Sequence, residues 1–305
     1  MPTPQQIGFV GLGKMGFPMA GRLAAAGFAL QVYDLDRRVK EQFMAEHKAV
    51  GCESPAEVAR RSELIITMLP DSKAVQAVVL GSGEKVGMAS SMAPGSILVD
   101  MSSSSPLATR ELGKWLTSRG VQLMDAPVSG GVSKARDGTL AIMAGGSPEV
   151  LERCRPVFAA MGERIFFSGP LGSGHAVKAL NNMLSAAGFI AAAEVLLVGR
   201  RFGVDPKVMN DILNASTGRN NSTENKIEKY VLSRSFSSGF SLDLMLKDLN
   251  TAVDLSRELE VPTPFCNACR ELWAAAQSSL GRGLDHTDVA RWFEQLAHVR
   301  LGEQE

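Results

Sequence analysis

Lys178, Asn182 and Ser185 stand at i, i+4 and i+7, with Asn181 beside them, inside a run from Gly172 to Arg201 that is otherwise mostly apolar. On a helix those positions fall along one line, so the run predicts a rod carrying a single polar stripe. An amine followed one turn later by an amide, just after Gly172-Ser-Gly174, could hold a small oxygenated ligand with a proton-transfer group beside it. The plainer alternative is a lysine that snorkels to solvent near the helix start and asparagines that satisfy neighbouring backbone. The glycine-flanked setting favours the chemical reading. Ala176, Val177, Ala179, Leu180, Met183, Leu184, Ala186, Ala187, Phe189 and Ile190 cover nearly every side of the rod, so it is expected to be buried almost all round with its stripe facing a cleft. A helix of this extent spans roughly 40 Å, enough to connect two lobes.

The elements before the rod follow a βα rhythm. Residues 5–10 read as a short buried strand running into Gly11-Leu12-Gly13-Lys14-Met15-Gly16 and then a helix from Phe17 to Ala26. Strand, glycines and helix together make a dinucleotide fingerprint, where the glycines alone would be only a turn. Gly11 would allow the tight turn, Gly13 the approach of a pyrophosphate to backbone N–H groups, and Gly16 close helix–strand packing. A second strand, Ala29 to Tyr33, ends at Asp34, 34 − 16 = 18 positions after the last glycine, where an acid can accept ribose hydroxyls and repel a 2′-phosphate. NAD is therefore expected, and Arg37 and Arg38 just beyond keep NADP open.

Further strands are expected at Leu64 to Met68, Ser96 to Met101, Val121 to Ala126, Leu140 to Ala144 and Arg164 to Phe167, with a capping box at Ser54 and Glu57. Strand ends line the ligand crevice in open α/β sheets, which makes Met68 to Asp71 and Ser102 to Ser105 candidates to line the cofactor. Ser104 and Ser105 read better as a polar loop and a helix N-cap. Ser129-Gly130-Gly131 after the Val121 strand is either a plain turn or a nest of N–H groups for a substrate carboxylate. Beyond Gly169-Pro170 the pattern is helical throughout: the rod, then helices from Asp205, around Glu224 to Leu232, near Ser241 to Leu259, from Thr263 and from Asp285. This gives a Rossmann-type α/β domain over 1–169 and an all-α domain over 170–305, joined by a long helix. Lys247 and Asp248 interrupt an apolar helical segment; as neighbours they are expected to take different partners, with an exposed face or a cleft-directed Lys247 as the two readings.

The 305 residues carry 32 basic and 32 acidic side chains, scattered, which argues against nucleic acid or an anionic membrane as partner. Lys178, Asn181, Asn182 and Glu194 interrupt the rod too often for a membrane span. No basic n-region or cleavage site follows Met1, so a cytoplasmic location is expected. Cys266 and Cys269 alone form a C-x-x-C and read as one face of a core helix, and the four histidines lack metal-ligand spacing, so no metal is expected.

Four motifs, Gly11-Leu-Gly-Lys-Met-Gly-Phe-Pro-Met-Ala20, Asp125-Ala-Pro-Val-Ser-Gly-Gly131, Gly172-Ser-Gly-His-Ala-Val-Lys-Ala-Leu-Asn-Asn182 and Lys247-Asp-Leu249, resemble the β-hydroxyacid dehydrogenase family along essentially the whole chain. The resemblance implies Lys178 as catalytic acid/base, Asn182 as a substrate-positioning residue and Ser129, Gly130 and Gly131 as a carboxylate site. It also implies Lys247 at the cleft, touching substrate and cofactor, and Leu69, Pro70 and Ser103 on the nicotinamide side. Its members are usually dimers or tetramers built through the helical domain, so a homo-oligomer acting on a small hydroxy acid is expected. Asp34-Leu-Asp36 stands where members preferring NADPH often have Asn-Arg-Thr, which supports NAD. Where 3-hydroxyisobutyrate dehydrogenases place a tryptophan near Asn221, this chain has Asn220, Asn221 and Thr223, which points to a polar substrate of the tartronate semialdehyde or glycerate kind ahead of 3-hydroxyisobutyrate. An imine reductase is a second reading, disfavoured by Lys178, and a non-catalytic scaffold a third.

Overall fold

In the computed structural model, which describes residues 6–83 and 85–302, a parallel-dominated sheet forms where the βα rhythm occurs; Gln5, first residue of the expected leading strand, lies outside the described residues. In chain order the elements are β1 (Gln6–Val10), α1 (Gly16–Ala25), β2 (Ala29–Tyr33), α2 (Arg37–Glu46), β3 (Ala49–Gly51), α3 (Pro55–Arg60), β4 (Leu64–Thr67) and α4 (Ser72–Leu80). A hairpin of β5 (Gly81–Ser82) and β6 (Lys85–Val86) precedes β7 (Ile97–Asp100), α5 (Pro106–Thr117), β8 (Gln122–Asp125), β9 (Val128–Ser129), α6 (Gly131–Asp137), β10 (Leu140–Gly145), α7 (Pro148–Met161) and β11 (Gly162–Gly169). The main sheet has the order β11-β10-β8-β7-β4-β1-β2-β3, with β9 hydrogen-bonded to β10. All its pairs are parallel except β10 with β8 and with β9.

Side-chain alternation assigns the two faces. Leu64 and Ile66 of β4 and Ile97 and Val99 of β7 join one buried cluster, while Ile65 and Leu98 between them join the other. Helices cover both faces, which is why these strands read as unbroken apolar runs. Chain order reverses at β1, flanked by β2 on one side and β4 on the other, and that switch point is where such sheets leave a crevice at their C-terminal edge. The expected capping box at Ser54 forms only by half. Ser54 Oγ accepts the Glu57 N–H, but the Glu57 carboxylate accepts the N–H of Glu53 and pairs with Arg61 instead of reaching back to the cap.

The helical part comprises α8 (Ser173–Phe202), α9 (Pro206–Asn214), α10 (Leu242–Glu258), α11 (Pro264–Leu280) and α12 (Val289–Ala297). The expected helix near Glu224 is a π-helix, Thr223–Leu232, a wide coil with no signature in apolar spacing. The chain divides into two compact units, Met1–Lys178 and Ala179–Glu305, at a point inside α8. The second unit has its own core, in which Phe189, Leu196, Leu249, Val253, Trp273 and Phe293 are buried. Cys269 belongs to this core and Cys266 packs against it.

The rod is not buried all round. Val177, Leu180, Leu184, Val195, Val198 and Phe202 are exposed by 43, 50, 76, 44, 70 and 87%, a row at helical spacing down one side. Apolar composition shows that a face avoids water without saying which face the chain itself covers. By length and composition α8 could cross a membrane, and 61% of its most apolar window is buried inside the protein.

Candidate active site

The fingerprint sits at the switch point. Gly11, at φ +98, leaves no space for a Cβ, which would lie 2.4 Å from the Met68 carbonyl; one on Gly16 would lie 1.9 Å from the Gly11 carbonyl. Gly13 is exposed with open space before it, and Lys14 beside it is exposed. Two glycines thus close the turn and the third leaves the helix start accessible, the arrangement a pyrophosphate needs. Asp34 is half-buried, and its carboxylate accepts the Leu12 N–H at 2.6 Å and the Asp36 N–H at 2.8 Å. It therefore ties the fingerprint to the β2–α2 turn while each oxygen keeps acceptor capacity for a ribose hydroxyl. Arg37 is held by Glu41 and Arg38 by Asp36. The residues present fit a dinucleotide.

The loops after β4 and β7 are tied together. Ser102, fully buried, accepts the Leu69 N–H at 2.9 Å, and Met68 donates to the Val10 carbonyl. Of the serine run, Ser103 is half-buried, Ser104 donates to Asp100 at 2.7 Å, and Ser105 caps α5. Ser102 and Ser104 are thus structural, leaving Ser103 and the Met68-Leu69-Pro70 segment beside the crevice. Ser129 ends β9, and Gly130 (φ +134) and Gly131 (φ +68) turn the chain into α6 with both glycines exposed. Positive φ at both positions is backbone that glycine adopts without strain, and a left-handed residue leading into right-handed helix, as at Gly131, is the geometry of an N–H nest.

A buried cluster that the sequence reading missed fixes the start of α8. Asp125, with no exposed surface, accepts the N–H of Gly172 at 2.7 Å and of His175 at 2.8 Å from the end of β8. Burial pushes its carboxyl above the ordinary range, against the pull of His175 and these two N–H groups. His175, also buried, lies 2.8 Å from the Thr109 hydroxyl through Nδ1 and 3.1 Å from the Ser102 carbonyl through Nε2. Asp100 accepts from Thr67, Ser102 and Ser104 alongside. Lys178 follows His175 by three residues, one helical turn, and is half-buried. Asp125 and His175 both lie within the matching motifs, but nothing in their spacing shows that they meet.

In the helical unit, Asn182 is 7% exposed and donates from Nδ2 to Asp248 Oδ2 at 2.6 Å. Asp248, 2% exposed, also meets Lys247 Nζ at 3.2 Å. The expectation that Lys247 and Asp248 need different partners is corrected: the flexible lysine stem curls back onto its neighbour, which backbone direction alone does not forbid. Asn182, Asp248 and Lys247 form one chain of contacts, with Asp248 the member the sequence left unassigned.

The polar wall expected from Asn220 and Thr223 is not available to a ligand. Asn220 Oδ1 accepts the N–H groups of Ser222 and Thr223, its amide donates to the Gly188 carbonyl, and the buried Thr223 hydroxyl donates to the Asn220 carbonyl. These are capping bonds of the following helix. Asn221 alone is exposed.

Residues 6–169 match the NAD binding domain of 6-phosphogluconate dehydrogenase, and residues 172–293 match the domain described as NAD-binding of NADP-dependent 3-hydroxyisobutyrate dehydrogenase. Over 297 residues the chain is 37% identical to 2-(hydroxymethyl)glutarate dehydrogenase of Eubacterium barkeri, covering 97% of both chains. The chain belongs to the β-hydroxyacid dehydrogenase family. A further relative is 2-hydroxy-3-oxopropionate reductase of Escherichia coli, 34% identical over 296 residues, 97% of this chain and 99% of that one. Among solved structures, Mycobacterium tuberculosis 3-hydroxyisobutyrate dehydrogenase with L-serine has a TM-score of 0.87 at 29% identity, covering 95% of this chain and 99% of that one. As a β-hydroxyacid dehydrogenase the chain is an NAD(P)-dependent oxidoreductase acting on the CH–OH group of small hydroxy acids.

Proposed function

We propose that the chain interconverts a primary alcohol β to a carboxylate and the corresponding semialdehyde, with NAD preferred over NADP and Lys178 as the general acid/base. The observation that carries this reading is α8 itself, one helix that presents Lys178 and, a turn later, Asn182 locked by Asp248. Bound NAD supplies the hydride acceptor. In the oxidising direction the neutral Lys178 amine takes the hydroxyl proton as the carbinol hydrogen leaves as hydride; in the reducing direction the ammonium returns it. Asn182, its amide oriented by Asp248, positions the reacting oxygen, and the Ser129-Gly130-Gly131 turn takes the carboxylate through a hydroxyl and N–H groups. Gly11 to Gly16 take the pyrophosphate, Asp34 the ribose, and Met68, Leu69, Pro70 and Ser103 the nicotinamide side, with Lys247 reaching substrate and cofactor.

Two relatives are named for substrates more polar than 3-hydroxyisobutyrate, one with a second, remote carboxylate and one with a hydroxyl on the carbon next to the reacting one; the latter supports a polar substrate of the tartronate semialdehyde or glycerate kind here, resting on Asn221 without Asn220 and Thr223. Initial rates with a panel of 3-hydroxy acids and semialdehydes, each with NAD and NADP, test the reading. The expected result is turnover of the polar acids with NAD above 3-hydroxyisobutyrate; turnover of none of them contradicts it.

Asp34 adds a sharper expectation. Asp34→Ala removes the repulsive carboxylate and the anchor of the Leu12 N–H together, so NAD affinity is expected to fall by about tenfold and the NAD-to-NADP ratio to narrow. Fluorescence titration with both cofactors reads this, and an unchanged ratio refutes the role of Asp34 in cofactor choice.

The exposed row on α8 also supports a homo-oligomer built on this face, since an exposed apolar stripe of that length marks an interaction surface. Light scattering on the purified chain is expected to show a dimer or tetramer that Leu184→Glu with Val198→Glu dissociates; a monomeric parent refutes the proposal.

A further inference from the structure

One cation in the helical unit has no place in the reaction described so far. Lys226 lies on the π-helix Thr223–Leu232 and is half-buried, with Nζ donating to Ser185 Oγ at 3.0 Å. Ser185 is the third member of the α8 polar stripe, three residues beyond Asn182 and seven beyond Lys178. The lysine therefore brings a positive charge from another helix onto the line that carries the acid/base and the positioning amide. A ten-residue π-helix is unusual in length, and such wide coils concentrate at functional sites, where they re-aim a side chain.

The surroundings are built. The π-helix packs against the turn His286–Asp288, and the buried His286 ring lies 6.0 Å from Phe189, one turn of α8 beyond Ser185. Its Nδ1 faces Ser238, the Phe240 carbonyl and Asp285, while Nε2 has no hydrogen-bond partner among the described residues. Burial holds the imidazole below its ordinary value, opposed by Asp285, so His286 is neutral near pH 7 and the charge here is that of Lys226.

We propose that Lys226, with the Ser185 hydroxyl beside it, is a specificity-determining residue that binds a second carboxylate at the end of the substrate remote from its reacting carbon. The inference rests on the dehydrogenase reading above and names its substrate class: β-hydroxy acids whose side chain ends in a carboxylate. Seven residues of helix separate Lys178 from Ser185 by about 10 Å along the axis, the scale of a short dicarboxylate with a hydrogen-bonding partner at either end. A charged donor beside a hydroxyl matches a carboxylate, whereas a substrate ending in a methyl group offers neither group a hydrogen bond.

The test is the ratio of kcat/KM for 2-(hydroxymethyl)glutarate to that for 2-(hydroxymethyl)pentanoate, which share the hydroxymethyl carbon and differ in the far end. The parent is expected to favour the dicarboxylate, and Lys226→Met to lower the ratio by about 10- to 100-fold, mainly through KM, since this contact is made equally in ground and transition states. Lys226→Arg is expected to keep most of the preference, which a merely structural lysine would not require. A parent ratio near one, or a Lys226→Met variant that lowers both acids alike, overturns the proposal; should that variant not fold, the parent ratio and Lys226→Arg still decide. Turnover of neither acid by the parent counts against the dehydrogenase reading instead, and turnover of the monocarboxylate alone against Lys226 only.

Discussion

Lys178→Met is expected to lower kcat by at least about 10²-fold while leaving NAD affinity nearly unchanged, because a positioned general acid/base typically contributes 10²- to 10⁴-fold. Methionine keeps the length and apolar stem of lysine and removes only the amine, so packing along α8 is little disturbed. The loss should appear with every substrate the parent turns over. Measuring kcat and NAD binding on the same preparation separates the two roles. Near-normal turnover would show that the proton leaves by another route, and a matching loss of NAD affinity would show a lysine that serves the cofactor.

Asp125→Ala is expected to have the largest effect on stability. It leaves the buried N–H groups of Gly172 and His175 without their acceptor, at roughly 1 to 3 kcal/mol each. The same change frees the first turn of α8, and Lys178 lies one turn further on, so activity should fall together with the melting temperature. Asp125→Asn keeps one acceptor oxygen and should recover part of both. Calorimetry on the two variants checks this. A melting temperature within a degree of the parent for Asp125→Ala would mean that the start of α8 is held by other contacts.

The part of this site legible in the sequence is the part written in local spacing. Gly11, Gly13 and Gly16 between a strand and a helix, Asp34 at the end of the next strand, and Lys178 with Asn182 one turn apart are each visible within about twenty residues. Contacts between distant segments left no such trace. Asp125 meets His175 across fifty positions and Asn182 meets Asp248 across 66, and neither spacing carries a period. Asn220 and Thr223 failed for the opposite reason, because a short polar run looks the same whether its side chains face a ligand or cap the next helix. The π-helix hid Lys226, since placing that residue on an ordinary helix does not predict its contact with Ser185. The outer row of α8 is exposed in the chain because apolar composition alone does not say which face the rest of the chain covers.

The central claim is that hydride passes between the hydroxyl-bearing β-carbon of a small carboxylic acid and NAD. The direct measurement takes the acid turned over fastest in the panel, deuterated at that carbon, and follows the nicotinamide C4 position of the product by proton NMR. One deuterium per turnover is expected at C4 of the reduced cofactor, with the semialdehyde formed in equal amount. Reduced cofactor free of deuterium, or no reduction with any β-hydroxy acid, would contradict the account.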